Sequence, residues 1–435
     1  MTIPLRGMAT TLSGPTVCRM GRRVCLALLG PLLVWVCAAW APYAGGINLR
    51  EAAPFVGHVV VRVGVGTPLA ILVGGAVVGF GPTLAQRLSF RVLPWAVAGT
   101  AIAWAGSLAL VDGLAGIRAP LTVDGGYLSE VPRVHGLHLF LAEFVQHIHS
   151  YDTGPRWGTD VAGHPPGLVL VFAGLRQLGL NGPWPPALLC LLVGASATAA
   201  VVVTVSHVVD EATARLVAPF MVILPAAVWV AVSGDAFFLG VSAWGVALLA
   251  RGGQLCSAGG GALLGCSLLL SYGLLTFGLV PLVVLAVRRD WRNALIAAAA
   301  CSSVVLAPAL LGFRWWDGLT QTLLRYRDGA GGYRPYRYFI VADLAVAAIA
   351  VGPAAIAAFS SLRRHDRASW LVAAAIGGLL VADLTGESKG EVERIWLFFT
   401  PWAALATARL VNPRRWLAIQ AISGLAVQTV LVSKW

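Results

Sequence analysis

Residues 186–208 read P-A-L-L-C-L-L-V-G-A-S-A-T-A-A-V-V-V-T-V-S-H-V, and no Asp, Glu, Lys or Arg interrupts them. As a helix rising about 1.5 Å per residue the stretch is long enough to cross a hydrocarbon core of about 30 Å. It lacks the period-2 alternation of an outer-membrane strand, so a barrel is excluded. Working outward, similar runs at 22–42, 66–84, 93–112, 216–232, 236–250, 258–271, 274–287, 293–312, 338–359, 368–384, 395–410 and 415–432 bring the expectation to about thirteen transmembrane helices. The whole chain agrees, being 58% apolar and 11% charged with a mean hydropathy of +0.80, where a soluble globule carries about 25% charge. The class expected is an all-α polytopic membrane protein. It forms one integral membrane domain over 1–435: N-terminal helices at 1–92, a core at 93–340 and C-terminal helices at 341–435.

Charge supplies the orientation. The net +12 is almost all arginine, since Lys389 and Lys434 are the lysines, and the arginines sit singly or in pairs between apolar runs. That is the pattern of short cytoplasmic loops, and it offers no nucleic-acid patch. Arg19/Arg22/Arg23, Arg87/Arg91, Arg288/Arg289/Arg292, Arg363/Arg364/Arg367 and Arg414/Arg415 all face the cytoplasm only if the N terminus is inside. Residues 24–42 follow the first cluster as a signal peptide would, but the many later spans favour an uncleaved first helix. The cysteines show neither metal-ligand spacing nor a disulfide framework.

Two readings compensate for each other in this topology. Residues 164–180 are short and carry Arg176, so a surface or re-entrant helix is expected there. Residues 258–287 are too long for one helix, and a break is expected at Ser271-Tyr272-Gly273. The polar segment Arg118–Pro166 then lies outside, within an external loop over 113–185, and a second external loop covers 313–337.

Segment Arg118–Pro166 holds Asp124, Glu130, Glu143, Asp152 and Asp160 with five of the eight histidines. Asp124-Gly125-Gly126 reads as a turn, and Val134–His149 as a helix. Its stripe Leu137, Leu141, Phe144, Val145 and Ile148 would ride on the membrane surface. A partly desolvated carboxylate here, Asp124 or Glu130, is placed to take a proton from a hydroxyl nucleophile; the plain alternative is a solvated loop acid. Imidazoles at His135 and His138 are polar-face residues or, with spacing three on a helix, ligands for a divalent cation, whereas His147 and His149 would point to different faces; no cofactor is required by the pattern. His164, fixed beside Pro165, suits a hydrogen-bonding role.

Three further groups carry charge near hydrocarbon. In Phe313–Arg337, Arg325, Arg327, Arg334 and Arg337 interleave with Tyr326, Tyr333, Tyr336 and Tyr338, giving forked donors for a lipid-linked phosphate or attraction to anionic headgroups. In T-G-E-S-K-G-E-V-E-R (385–394), Glu387, Lys389, Glu391, Glu393 and Arg394 stand at the mouth of a membrane helix, as part of a site or as an ion pair pinning the helix end. Asp235, in V-S-G-D-A-F-F, is a functional acid or a helix N-cap.

An acidic loop after an early membrane helix, H-P-P-G at 164–167 and S-G-D-A at 233–236 together resemble the GT-C superfamily of polytopic glycosyltransferases, which use polyprenyl-phosphate donors. Many members carry H-P-P-L, so Gly167 departs from that pattern. L-S-Y-G-L-L (270–275), R-P-Y-R-Y-F (334–339) and E-S-K-G-E-V-E-R-I-W-L (387–397) are similar to an actinobacterial branch of methylthioxylose transferases. The resemblance implies a multi-pass plasma-membrane enzyme with its active site outside. It implies inverting transfer of a sugar such as 5-methylthioxylose to an envelope glycan such as a mannose cap of lipoarabinomannan, with membrane lipids as surroundings. It also implies Glu130 or Asp124 as base. Tyr127, His164, Asp235, Tyr272, Arg325, Arg327, Arg334, Tyr336, Arg337, Lys389, Glu391, Glu393 and Arg394 would bind substrate. The competing expectation is a transporter or lipid flippase, which would use broken helices at matching positions.

Overall fold

The computed structural model describes residues 14–44, 53–150 and 154–433; Asp152 and Lys434 lie outside them, as does the Arg19 side chain. Among the described residues the chain is nearly all helix, with one small antiparallel strand pair, Gly57–Val59 on Leu431–Ser433, in the register Gly57↔Ser433. Arg62 seals this corner by an ion pair to Asp112 and a bond to the Gln428 carbonyl at 2.6 Å.

Among the described residues six helices are long and apolar enough to cross a membrane: Gly66–Arg87, Leu93–Asp112, Trp184–Val208, Gly234–Arg251, Trp291–Leu311 and Arg367–Thr385. Counting each bent pair, Gly21–Ala27 with Leu29–Tyr43 at 40° and Tyr336–Val351 with Pro353–Ser361 at 97°, as one span raises this to eight. The difference from thirteen comes from breaks inside apolar runs. Residues 216–232 split after Val222, and 395–410 become a chain of short α and 3-10 turns ending at Arg409.

Both compensating readings hold locally. Gly167–Gln177 is an 11-residue helix, roughly half the length needed to span a bilayer. The second run stops at Leu270, passes through an extended Ser271 and restarts at Leu274.

The centre is the pair Trp184–Val208 and Gly234–Arg251, whose backbones approach so closely that a Cβ on Gly240 would collide with the Val193 carbonyl. Gly261 faces Ala297 in the same way across Gln254–Leu270 and Trp291–Leu306. Small residues at crossings are how helices pack where lipid removes the hydrophobic drive between them. On the outside, only 6% of the apolar window in Trp291–Leu311 is buried. An apolar face of that size needs lipid around it.

Candidate functional site

The segment Arg118–Pro166 folds into short helical turns around a knot of side chains. Gly126 N–H bonds back to the Val123 carbonyl at 3.0 Å, closing the expected turn, and Gly125 sits at φ 77°, where a side chain would be strained. The Gly125 carbonyl accepts the Asp160 N–H at 3.2 Å, so this turn holds the helix Thr159–Ala162 against the helix Tyr127–Glu130.

Glu130 is part of the knot. Its Oε2 accepts from Arg133 at 2.7 Å and its Oε1 from the Gly158 amide at 3.1 Å. Arg133 in turn donates to the Pro155 and Arg156 carbonyls and lies 3.8 Å over the ring of Trp157. A carboxylate with both oxygens taken and an arginine three residues on is a clamp that ties Glu130 to Arg133 and Gly158. Asp124 is exposed on the turn. The helix Leu137–Glu143 and the 3-10 turn Phe144–His147 also depart from expectation. Leu141, Phe144 and Ile148 are buried, Phe144 packs on Trp157 and Phe313, and Leu137 is the exposed member of the stripe. The stripe therefore faces the protein interior, because Trp157 and Phe313 fold over it.

A second set of acids gathers around one buried arginine. Arg394, on the turn Val392–Ile395, donates to Asp235 at 2.9 Å and to Glu391 at 3.2 Å, with Asp160 3.8 Å away. The guanidinium side chain is 12% exposed, Asp235 4% and Asp160 27%. Burial works to lower the Arg394 pKa, but Asp235, Asp160 and Glu391 together hold it above its ordinary value. The Asp160 carboxyl is raised by burial and by Asp235 and Glu391, against the lowering field of Arg394 and His164. Glu391 goes the other way, since Arg394 and Arg334 outweigh the burial that would raise it.

Local sequence explains why these groups meet. Ser233, not Asp235, caps the helix Gly234–Arg251, accepting from Ala236 N–H at 3.2 Å. That leaves Asp235 in the first helical turn, where the helix dipole favours a negative charge, with its oxygens turned to Arg394. Gly386, Gly390 and Glu391 all have positive φ, so the 386–391 segment coils back, and Gly390 N–H reaches the Asp343 carboxylate at 3.0 Å. His164 Nδ1 pairs with the Asp160 carbonyl at 2.7 Å, and its ring lies against Tyr127 and Phe238. Tyr127 is 4% exposed and its hydroxyl has no hydrogen-bond partner among the described residues. Burial, Asp160 and Asp235 push its pKa well above the ordinary phenol value. A buried hydroxyl left unpaired is costly in a finished core, and is natural where a ligand supplies the partner.

The substrate-binding expectations therefore divide. Tyr127, His164, Asp235, Glu391 and Arg394 come together, and Arg334 adjoins them through Glu391 at 3.0 Å. Glu393 is buried on the same turn. Lys389 is turned aside, its ammonium on the Gly331 and Arg334 carbonyls. Arg325 belongs to the knot, donating to the Ile148 and Trp157 carbonyls at 2.7 and 2.9 Å. Tyr336 is tied to the Leu384 carbonyl at 3.0 Å, and Tyr272 packs on Trp315 with ring centroids 5.2 Å apart. Arg327 pairs with Glu387 at the surface and Arg337 is exposed. The arginines of 313–337 thus do not converge on one anion, because most are consumed in holding loops together.

Asp160 is the residue that sequence reasoning left out of the site. The signal was present: Asp160 stands four residues before His164, the spacing that stacks two side chains on one helical turn. Arg133, three residues after Glu130, likewise announced the clamp. Among the described residues no group of three or more His, Cys, Asp or Glu is placed to hold a metal ion. The chain matches no protein-family model, no curated protein and no solved structure.

Proposed function

We propose that the chain is a membrane glycosyltransferase of GT-C type. It would act outside the plasma membrane on a polyprenyl-phosphate sugar. The observation that carries the reading is the buried Arg394 among three carboxylates, one of which, Asp160, is partly open and is joined through His164 to Tyr127, whose buried hydroxyl is unpaired among the described residues.

In this reading an acceptor hydroxyl gives its proton to the Asp160 carboxylate as its oxygen attacks the anomeric carbon. The bond from that carbon to the phosphate oxygen breaks, and polyprenyl phosphate leaves with the electron pair. A raised carboxyl pKa suits the base. Arg394 is a positioning residue that holds the Asp160 and Asp235 side chains on either side of its guanidinium. With three carboxylates around it Arg394 has no charge to spare for a phosphate. Among the residues expected to hold the phosphate, Arg327 and Arg337 are able to turn to it without breaking a buried pair, since exposed pairs hold weakly. Tyr127 and His164 would line the sugar side.

The test is transfer by membranes containing the chain, offered a panel of polyprenyl-phosphate pentoses and hexoses. A second arm compares envelope glycans of deleted and complemented cells by mass spectrometry. The expected result is one missing sugar, restored by the wild-type chain and not by Asp160→Asn. Unchanged glycans, or full transfer by Asp160→Asn, overturn the reading. The 97° break between Tyr336–Val351 and Pro353–Ser361, with Asp343 buried in the first of these helices, favours transport as the second reading. Substrate-dependent flux in reconstituted vesicles without sugar transfer would establish it.

A further inference from the structure

Away from the acidic cluster, a cavity of about 1000 Å³ opens between the first two helices, the bend at Gly352 and the last helix, Pro413–Val430. Its volume stands at the top of the range for ligand pockets, about 300–1,000 Å³. Along the last helix it runs from Arg415 to Val427, which at about 1.5 Å per residue is roughly 18 Å, the depth of one leaflet's hydrocarbon. The walls are apolar, with Ile349, Pro353 and Trp416 among them, and none of the described lining residues is acidic.

Cationic groups stand at one end. Arg23 is held there by its bond to Ser361 Oγ at 2.6 Å, and Arg415 is exposed at the start of the last helix. Chains of one leaflet's length below and two guanidiniums above match the chemistry of one occupant. We propose that this cavity is a site for an anionic phospholipid, its phosphate between Arg23 and Arg415 and its acyl chains along the last helix. Basic pockets between membrane helices recognise acidic headgroups in this way. Such a lipid would fill the gap beside the bent pair and couple that bend to membrane composition.

The experiment uses the full chain in nanodiscs of phosphatidylcholine with or without phosphatidylglycerol, followed by detergent extraction and native mass spectrometry. Phosphatidylglycerol should be retained in preference to phosphatidylcholine. Arg23→Gln with Arg415→Gln should lower that preference roughly thirtyfold, two contributions of about 1 kcal/mol each. Arg415→Gln alone, at an exposed position, gives a partial loss if the double variant does not fold. Ser423→Trp, which fills the cavity without changing charge, should expel both lipids. Equal retention of the two lipids by the wild type overturns the proposal. So does an unchanged preference in Arg415→Gln, or displacement of phosphatidylglycerol by polyprenyl phosphate at equal concentration.

Discussion

Removing the guanidinium of Arg394 tests the candidate site most directly. In Arg394→Gln, Asp235 at 4% exposure loses the donor 2.9 Å away, and Asp160 and Glu391 lose the positive charge between them. Breaking a buried pair by removing one partner costs about 3–5 kcal/mol, because the remaining charge is left in a poor solvent. Asp235→Asn is gentler: the amide keeps the shape and an acceptor, and Arg394 retains Glu391, so about 1.5–3 kcal/mol is expected for a hydrogen bond to a charged group. The double variant should cost less than the sum, with a coupling above about 1.5 kcal/mol, as neighbours in one ionic network are not additive. Reversible unfolding of the purified chain in detergent, followed by tryptophan fluorescence, supplies all three numbers. Arg394→Lys should recover little, since an ammonium cannot fork among three carboxylates. A loss below about 1 kcal/mol for Arg394→Gln, or coupling within about 0.5 kcal/mol of zero, would refute the reasoning.

Glu130→Gln should lower stability by about 1–2 kcal/mol through the Arg133 clamp while leaving sugar transfer largely intact, and Asp160→Asn should do the reverse; parallel melting and transfer assays separate them. The raised Asp160 pKa makes a signed prediction about pH. A carboxyl whose folded pKa lies above its unfolded value stabilises the fold below the unfolded pKa and loses that contribution as pH rises through the folded one, so the wild type minus Asp160→Asn difference in melting temperature should fall with pH above the ordinary carboxylate range. Glu391 is lowered, so Glu391→Gln should show the opposite: its difference from wild type is fully present above the ordinary carboxylate range and vanishes as pH falls through the depressed pKa. Gly240→Ala puts a methyl into the Val193 carbonyl and should destabilise by about 1–3 kcal/mol, read as a lower melting temperature in detergent.

Runs such as 186–208 determined by themselves that this is a helical membrane protein, because hydrocarbon admits uncharged runs of that length in one conformation only. The break at Ser271-Tyr272-Gly273, the turn at Asp124-Gly125-Gly126 and the short helix after His164-Pro165-Pro166 were equally legible, each being set by local residues. Charge partners were not. Arg325 and Arg394 look alike in the sequence, and which of them is a clamp depends on where segments 159 to 234 residues apart meet. Asp160, Asp235 and Arg394 come from three separate segments, and the raised pKa values of Asp160 and Arg394 follow from burial and mutual distance. Tertiary structure alone sets those two quantities.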